Sequence, residues 1–200
     1  MHTLFQWQTW AGAVAGVLLG AAILSLTGAG PKRAVPSGPI LSECDGHFRD
    51  LVIQYEPASK GIVAAVYHDF LGALEENVNV HVVCPNQTAF TDLVATIGPV
   101  KCHLLPIVVG HPMTTWSRDR WVALTPASVY QPITLWTPQG EAGSEMWPQR
   151  AGDERMGSDI AAALAPTVFS RRSRFYFDGG DFLTDAENVF VMPRVLQRNI

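Results

Sequence analysis

Two short segments carry the residue types best suited to chemistry: Trp116-Ser117-Arg118-Asp119 near the middle of the chain, and Phe177-Asp178-Gly179-Gly180-Asp181 near its end. Each sets a carboxylate on a turn at the edge of an apolar, strand-like run, where a rigid sheet can hold a side chain over a pocket. Asp119 and Asp178 stand about sixty residues apart. Such a pair suits a cation. A guanidinium is planar and permanently charged, so carboxylates that accept paired N–H bonds in its plane recognise it well. Read singly, Arg118-Asp119 beside tryptophans also describes an internal salt bridge, and Asp178-Gly179-Gly180-Asp181 a turn or a calcium-binding loop. The site hypothesis rests on finding both segments, in this order, in an α/β setting.

The elements that must position them follow from periodicity. Leu51 to Tyr55 reads as a strand, and Gly61 to Glu76 as a helix with Ile62, Val66, Phe70, Ala73 and Leu74 on one face. Val78 to Cys84 reads as a strand, and Gln87 to Ile97 as a helix with Phe90, Leu93, Val94 and Ile97 at helical spacing. Lys101 to Pro106 is a third strand. Strands alternating with helices of this length predict crossover connections. Beyond the first motif, Trp121 to Leu124 and Ser128 to Leu135 read as neighbouring strands joined through Pro126, residues 137–152 as a loop, and Asp153 to Leu164 as a helix burying Met156, Ile160, Ala163 and Leu164. The end of the chain reads as a hairpin: strand-like Arg174 to Phe177, the second motif, a turn over Thr184 to Asn188, then Val189 to Met192. Its glycines are expected to supply positive φ or close backbone approach.

With 200 residues, 48% hydrophobic and 16% charged, the chain can support one packed domain and an appendage. A net charge of -4 argues against a nucleic-acid partner, whose phosphates call for a basic face. Arg171, Arg172 and Arg174 form the one basic cluster, expected as a solvated loop before a strand.

The appendage is the first thirty residues. Thr3 to Gly30 holds no Asp, Glu, Lys or Arg, and Ala11 to Leu26 is an apolar run about as long as a bilayer core requires. It reads as a transmembrane anchor, with a signal peptide as the alternative. Lys32 and Arg33 follow it and favour a cytoplasmic placement of what comes next. Export after cleavage would give the opposite placement. Gly12, Gly16 and Gly20 have the spacing of a membrane-helix contact, in a segment rich enough in Gly and Ala to show it by chance. Residues 31–43, with Pro31, Pro36 and Pro39, are expected as an extended, exposed linker. The domain is expected to run from 44 to 200.

The two motifs, the second followed by Asn188-Val189-Phe190-Val191 and then Leu196-Gln197-Arg198-Asn199, resemble the N-terminal motifs of the guanidino-group-modifying pentein enzymes. These are arginine and agmatine deiminases, dimethylarginine dimethylaminohydrolases and amidinotransferases. The resemblance covers roughly residues 49–200. It implies a partial pentein: a propeller of ββαβ units around a central pocket. Asp119 would match the carboxylate that grips the substrate guanidinium. Asp178 would match the acidic residue that binds it and orients the catalytic His, Trp116 would shape the pocket wall, and Gly179, Gly180 and Asp181 would serve the turn. The ligand class implied is a small guanidino compound such as arginine, agmatine or a methylarginine, with no metal and no organic cofactor. In that family a cysteine thiolate attacks the guanidinium carbon and water releases the intermediate. The catalytic His and Cys of the pattern would lie beyond residue 200, so the chain is expected to be the N-terminal, inactive part of such a hydrolase. The sequence departs from the agmatine deiminase pattern at Thr114, where that family carries an acidic residue, and at Arg120-Trp121-Val122, where it carries a Gly-Pro turn.

Cys84 and Cys102 fall in strands and are expected as buried thiols, a bridge between them being the alternative if the domain is exported. Cys44 stands at the domain entrance. His68, His81, His103 and His111 form no ligand pattern, and Asn86-Gln87-Thr88 is a glycosylation sequon only in a eukaryotic secretory setting. A second function class follows from the same residues: a non-catalytic, membrane-tethered pentein-like binding module, whose open sheet edges an oligomer or partner chain would cover.

Overall fold

The computed structural model describes residues 38–41, 48–126, 128, 130–140, 148–185 and 187–200. The expected anchor, most of the expected linker and Cys44 lie outside the described residues. Among the described residues, no helix is long and apolar enough to cross a membrane.

The first layer is a parallel sheet of β1 (Asp50–Gln54), β2 (Asn79–Cys84) and β3 (His103–Val108), in that spatial order. Helices α1 (Lys60–Ala73) and α2 (Gln87–Ile97) make the two crossovers. The middle strand, β2, is buried along nearly its whole length, as expected for a parallel strand covered on both faces. Val80, Val82 and Cys84 face the helices and pack with Leu71, Leu74, Leu93 and Ile97, while Val83 points to the opposite face. Edge position explains why β3 tolerates Pro106, whose missing N–H would break a central ladder. Local chemistry sets the ends of α2: the Asn86 side chain accepts from the Ala89 amide at 2.9 Å, and Gly98 takes φ 72° just past the last turn.

One face is not the expected one. In α1 the buried line is Val63, Tyr67, Leu71 and Leu74, whereas Ile62 is 81% exposed and Val66 and Phe70 also face solvent. Apolar residues occupy two adjacent stripes of this helix, so spacing alone could not choose between them. In the same way α2 leaves Val94 exposed.

The second layer is a complete ββαβ unit. β4 (Val122–Leu124) pairs antiparallel with β5 (Ile133–Thr137), helix α3 (Met156–Ala163) follows, and β6 (Val168–Arg172) pairs parallel with β5. Met156 and Ile160 bury against Leu135 and against Val83 and Ile107 of the first sheet. Ala161, not Ala163, completes the buried face of α3. Two corrections belong here. β5 begins at Ile133 instead of Ser128. The strand expected over 174–177 lies earlier, at Val168–Arg172, so Arg171 and Arg172 are strand residues, and Arg172 donates to the Pro138 carbonyl and the Glu154 carboxylate at 2.9 Å each. Two arginines in succession give this segment a loop-like charge, while its backbone pairs with β5.

The third element is the hairpin of β7 (Phe182–Thr184) and β8 (Val189–Val191), closed over 185–188, with the short helix α4 (Pro193–Arg198) after it. Phe177 and Phe182 pack edge to face at 5.2 Å between centroids, with Val122, Leu124 and Val195. Residues 38–41, expected in the exposed linker, dock here: Leu41 N–H donates to the Ala123 carbonyl and Thr125 N–H to the Pro39 carbonyl, both at 2.8 Å.

Candidate functional site

The first motif sits on the loop from β3 to β4, and three contacts fix that loop. Gln54 N–H donates to Ser117 Oγ at 2.8 Å, joining the loop to the end of β1. His111 Nε2 lies 2.8 Å from Asp159 Oδ2 on α3. Thr114 donates to Asp153 with both its amide, at 2.8 Å, and its hydroxyl, at 2.6 Å. Asp153 is 1% exposed, a burial acceptable for a carboxylate because these donors satisfy it. A carboxylate therefore does reach position 114, delivered from a distant turn.

The second motif docks directly on the first. Gly179 N–H donates to the Asp119 carbonyl at 2.8 Å, and Arg118 Nη2 donates to the Phe182 carbonyl at 2.8 Å. A Cβ on Gly179 would stand 1.8 Å from the Arg118 carbonyl oxygen and 2.4 Å from that of Trp121. This glycine is required by close backbone approach. Among the described residues, positive φ is found at Gly98 and Gly110 and not in this turn. Asp181 Oδ2 accepts the Asp178 amide at 3.0 Å and closes the turn.

Asp119 and Asp178 come together, and each is met by the protein's own arginines. Arg150 Nη2 donates to Asp119 Oδ2 at 2.9 Å, while its Nε stands 3.6 Å from Asp153 Oδ2. Arg120, 4% exposed, forms an ion pair with Glu154 and lies 3.6 Å from Asp178 Oδ1. Arg194 Nη2 reaches Asp178 Oδ2 at 3.3 Å, and its Nε donates to Asp181 at 2.5 Å. Burial pushes the Asp119 carboxyl above its ordinary value, and the charge of Asp178 pushes it further, against the opposing pull of Arg150 and Arg120. Asp178 Oδ1 is buried beside the Arg120 guanidinium.

The remaining expected residues fall out as follows. Trp116 is 62% exposed. Gly180 lies over Asp119, whose Oδ1 would be 4.0 Å from a Cβ there. Cys84 and Cys102 are free, buried thiols directed at different carbonyls, those of Ile107 and Leu71, and burial raises both. Arg120, Arg150, Asp153, Glu154 and Arg194 were missed by sequence reading. Only Arg120, adjacent to the motif, gave a local signal.

No protein-family model matches this sequence, and no curated protein matches it. Solved structures do. A protein provisionally described as a peptidyl-arginine deiminase superposes with a TM-score of 0.59 at 10% identity, over 82% of this chain and 48% of its own. A Cys-to-Ser variant of the C. jejuni agmatine deiminase with substrate bound gives 0.53 at 15% identity, over 78% and 46%. An Enterococcus faecalis agmatine deiminase, described as catalysing its reaction, gives 0.50 at 19%, over 77% and 44%.

The domain has the pentein deiminase fold. At these identities the likeness establishes architecture, and this chain spans about half the length of the structures it matches. The successive elements of the pentein domain agree with that architecture: one full ββαβ unit over residues 122–172, and two motifs meeting at the loops between units.

Proposed function

We propose that this pentein domain recognises the guanidino group of a small molecule of the arginine, agmatine or methylarginine type, through the carboxylates of Asp119 and Asp178, as the binding part of a deiminase-type hydrolase. The observation that carries this is the docking of Gly179 on Asp119, which puts two carboxylates from distant turns into one partly buried site. Low-dielectric surroundings strengthen their pull on a planar cation. The substrate-bound agmatine deiminase among the structural neighbours supports the ligand class. Recognition is the share of the reaction assigned to these residues, since Cys84 and Cys102 lie buried in the first layer with their thiols raised. In this reading the nucleophile comes from outside the described residues, and the apolar segment 1–30 tethers the domain to a membrane.

Calorimetric titration of arginine, agmatine and methylarginine into the full chain tests the proposal. Saturable binding of at least one ligand, lost in Asp119→Asn with the fold retained by circular dichroism, is the expected result. Binding that survives in Asp119→Asn overturns the role given to that carboxylate.

A further inference from the structure

Asp119 already holds a guanidinium in this structure, that of Arg150. We infer that Arg150 is a built-in occupant of the guanidine site, which an incoming guanidino compound must displace from Asp119 before it binds. The inference rests on the reading of Asp119 as the guanidinium carboxylate and deepens it.

The contrast among the arginines around the site sets the roles apart. Arg120 is almost wholly buried between Glu154 and Asp178, so its removal from the site would strand several charges. Arg194 meets Asp181 at 2.5 Å and can release Asp178 without leaving its main partner. Arg150 is different. Its side chain and that of Asp119 are 26% and 25% exposed, and it offers Asp119 one hydrogen bond of 2.9 Å in place of a two-pronged fork. Its second carboxylate, Asp153, lies farther away at 3.6 Å and is already satisfied by both donors of Thr114. A pair held by one good bond gives up less on release than a two-pronged fork would, and a ligand that offers Asp119 the full fork replaces what is lost. Asp153 keeps both of its Thr114 hydrogen bonds when Arg150 swings out, so its oxygens do not lose their donors. Chemically, Arg150 presents to Asp119 the same group that the proposed ligand would present.

An occupant that fills its carboxylate in about nine of ten molecules weakens apparent ligand affinity about tenfold. The test is titration of arginine and agmatine into the full chain, wild type and Arg150→Met, with circular dichroism as the check on folding. The expected result is that Arg150→Met binds about tenfold tighter than wild type, and that Arg150→Lys, which restores the cation, returns most of that gain. Equal or weaker binding in Arg150→Met overturns the inference while leaving the site reading standing. Absence of binding in both proteins removes the site reading and the inference with it. Should Arg150→Met fail to fold, the Arg150 Nε–H resonance of the wild-type protein reads displacement directly. It shifts on saturation with agmatine if the guanidinium leaves Asp119, and a resonance unmoved at saturation overturns the inference.

Discussion

The amide of Gly179 donates to the carbonyl of Asp119 at 2.8 Å, a backbone bond that joins the two motifs of this chain alongside the Arg118 to Phe182 contact. It forms because the glycine lets its backbone come within reach of Arg118 and Trp121 as well as Asp119. Fold and site therefore share this contact.

Gly179→Ala is expected to cost about 3 kcal/mol, the upper part of the usual range for overpacking, because the new methyl meets rigid carbonyl oxygens at 1.8 and 2.4 Å. Gly180→Ala is the control. Its methyl would find nothing nearer than Asp119 Oδ1 at 4.0 Å, and stability should change by less than about 1 kcal/mol. Urea denaturation of the two variants checks this, and equal losses would contradict the packing described.

Guanidine binding should weaken with falling pH earlier than an ordinary aspartate would allow. Burial, then Asp178, raises the Asp119 carboxyl in the fold, and only the ionised carboxylate holds a cation. The sign for stability is the reverse. A raised folded-state value makes the contribution of Asp119 full at pH below its unfolded value, and that contribution is lost as pH rises through the folded one. Titration calorimetry over the weakly acidic range checks the binding limb. An affinity that falls only where a free aspartate protonates would contradict the desolvated site.

Tyr55, directly after β1, anchors the first sheet to α2. Its hydroxyl, on a fully buried residue, donates to Asp92 at 2.5 Å, and Lys60 reaches the same carboxylate at 2.7 Å. Burial first, then Asp92, raises the phenol, while Lys60 first, then Tyr55, lowers the Asp92 carboxyl. Asp92 thus contributes stability above its unfolded value, lost as pH falls through the folded one. Tyr55→Phe is expected to cost about 1 kcal/mol at neutral pH and to reduce the acid sensitivity of the fold. Denaturation midpoints at neutral and acid pH measure both effects.

Cys84 and Cys102 should resist thiol reagents in the native state and react on unfolding. Burial raises both thiols and closes access to them. Mass mapping of alkylated peptides, before and after denaturant, reads each position separately. Rapid native labelling of either one would contradict its placement in the core.

The first layer was legible in the sequence because its strands are continuous apolar runs and its helix α2 carries both a cap and a stop. Where the apolar residues of α1 spread over two stripes, the choice between Val63-Tyr67-Leu71 and Ile62-Val66-Phe70 depended on what packs against the helix, and sequence spacing holds no such information. Asp119, Asp178 and Asp181 could be located by motif. Arg150, Asp153 and Glu154 could not, since only the ββαβ crossover over residues 122–172 brings that turn back against the β3 to β4 loop. Leu183 and Phe190, expected in a hairpin, pair there across β7 and β8 and face solvent.

The central claim is that Asp119 and Asp178 together receive a guanidino group, and a crystal structure of the protein soaked with agmatine or arginine tests it most directly. The account predicts the guanidinium within hydrogen-bond distance of both carboxylates, with Arg150 turned away from Asp119. Ligand bound elsewhere, for example in the 400 Å³ groove lined by Glu56, Ile62, Met113 and Thr114, with Arg150 still on Asp119, would contradict it.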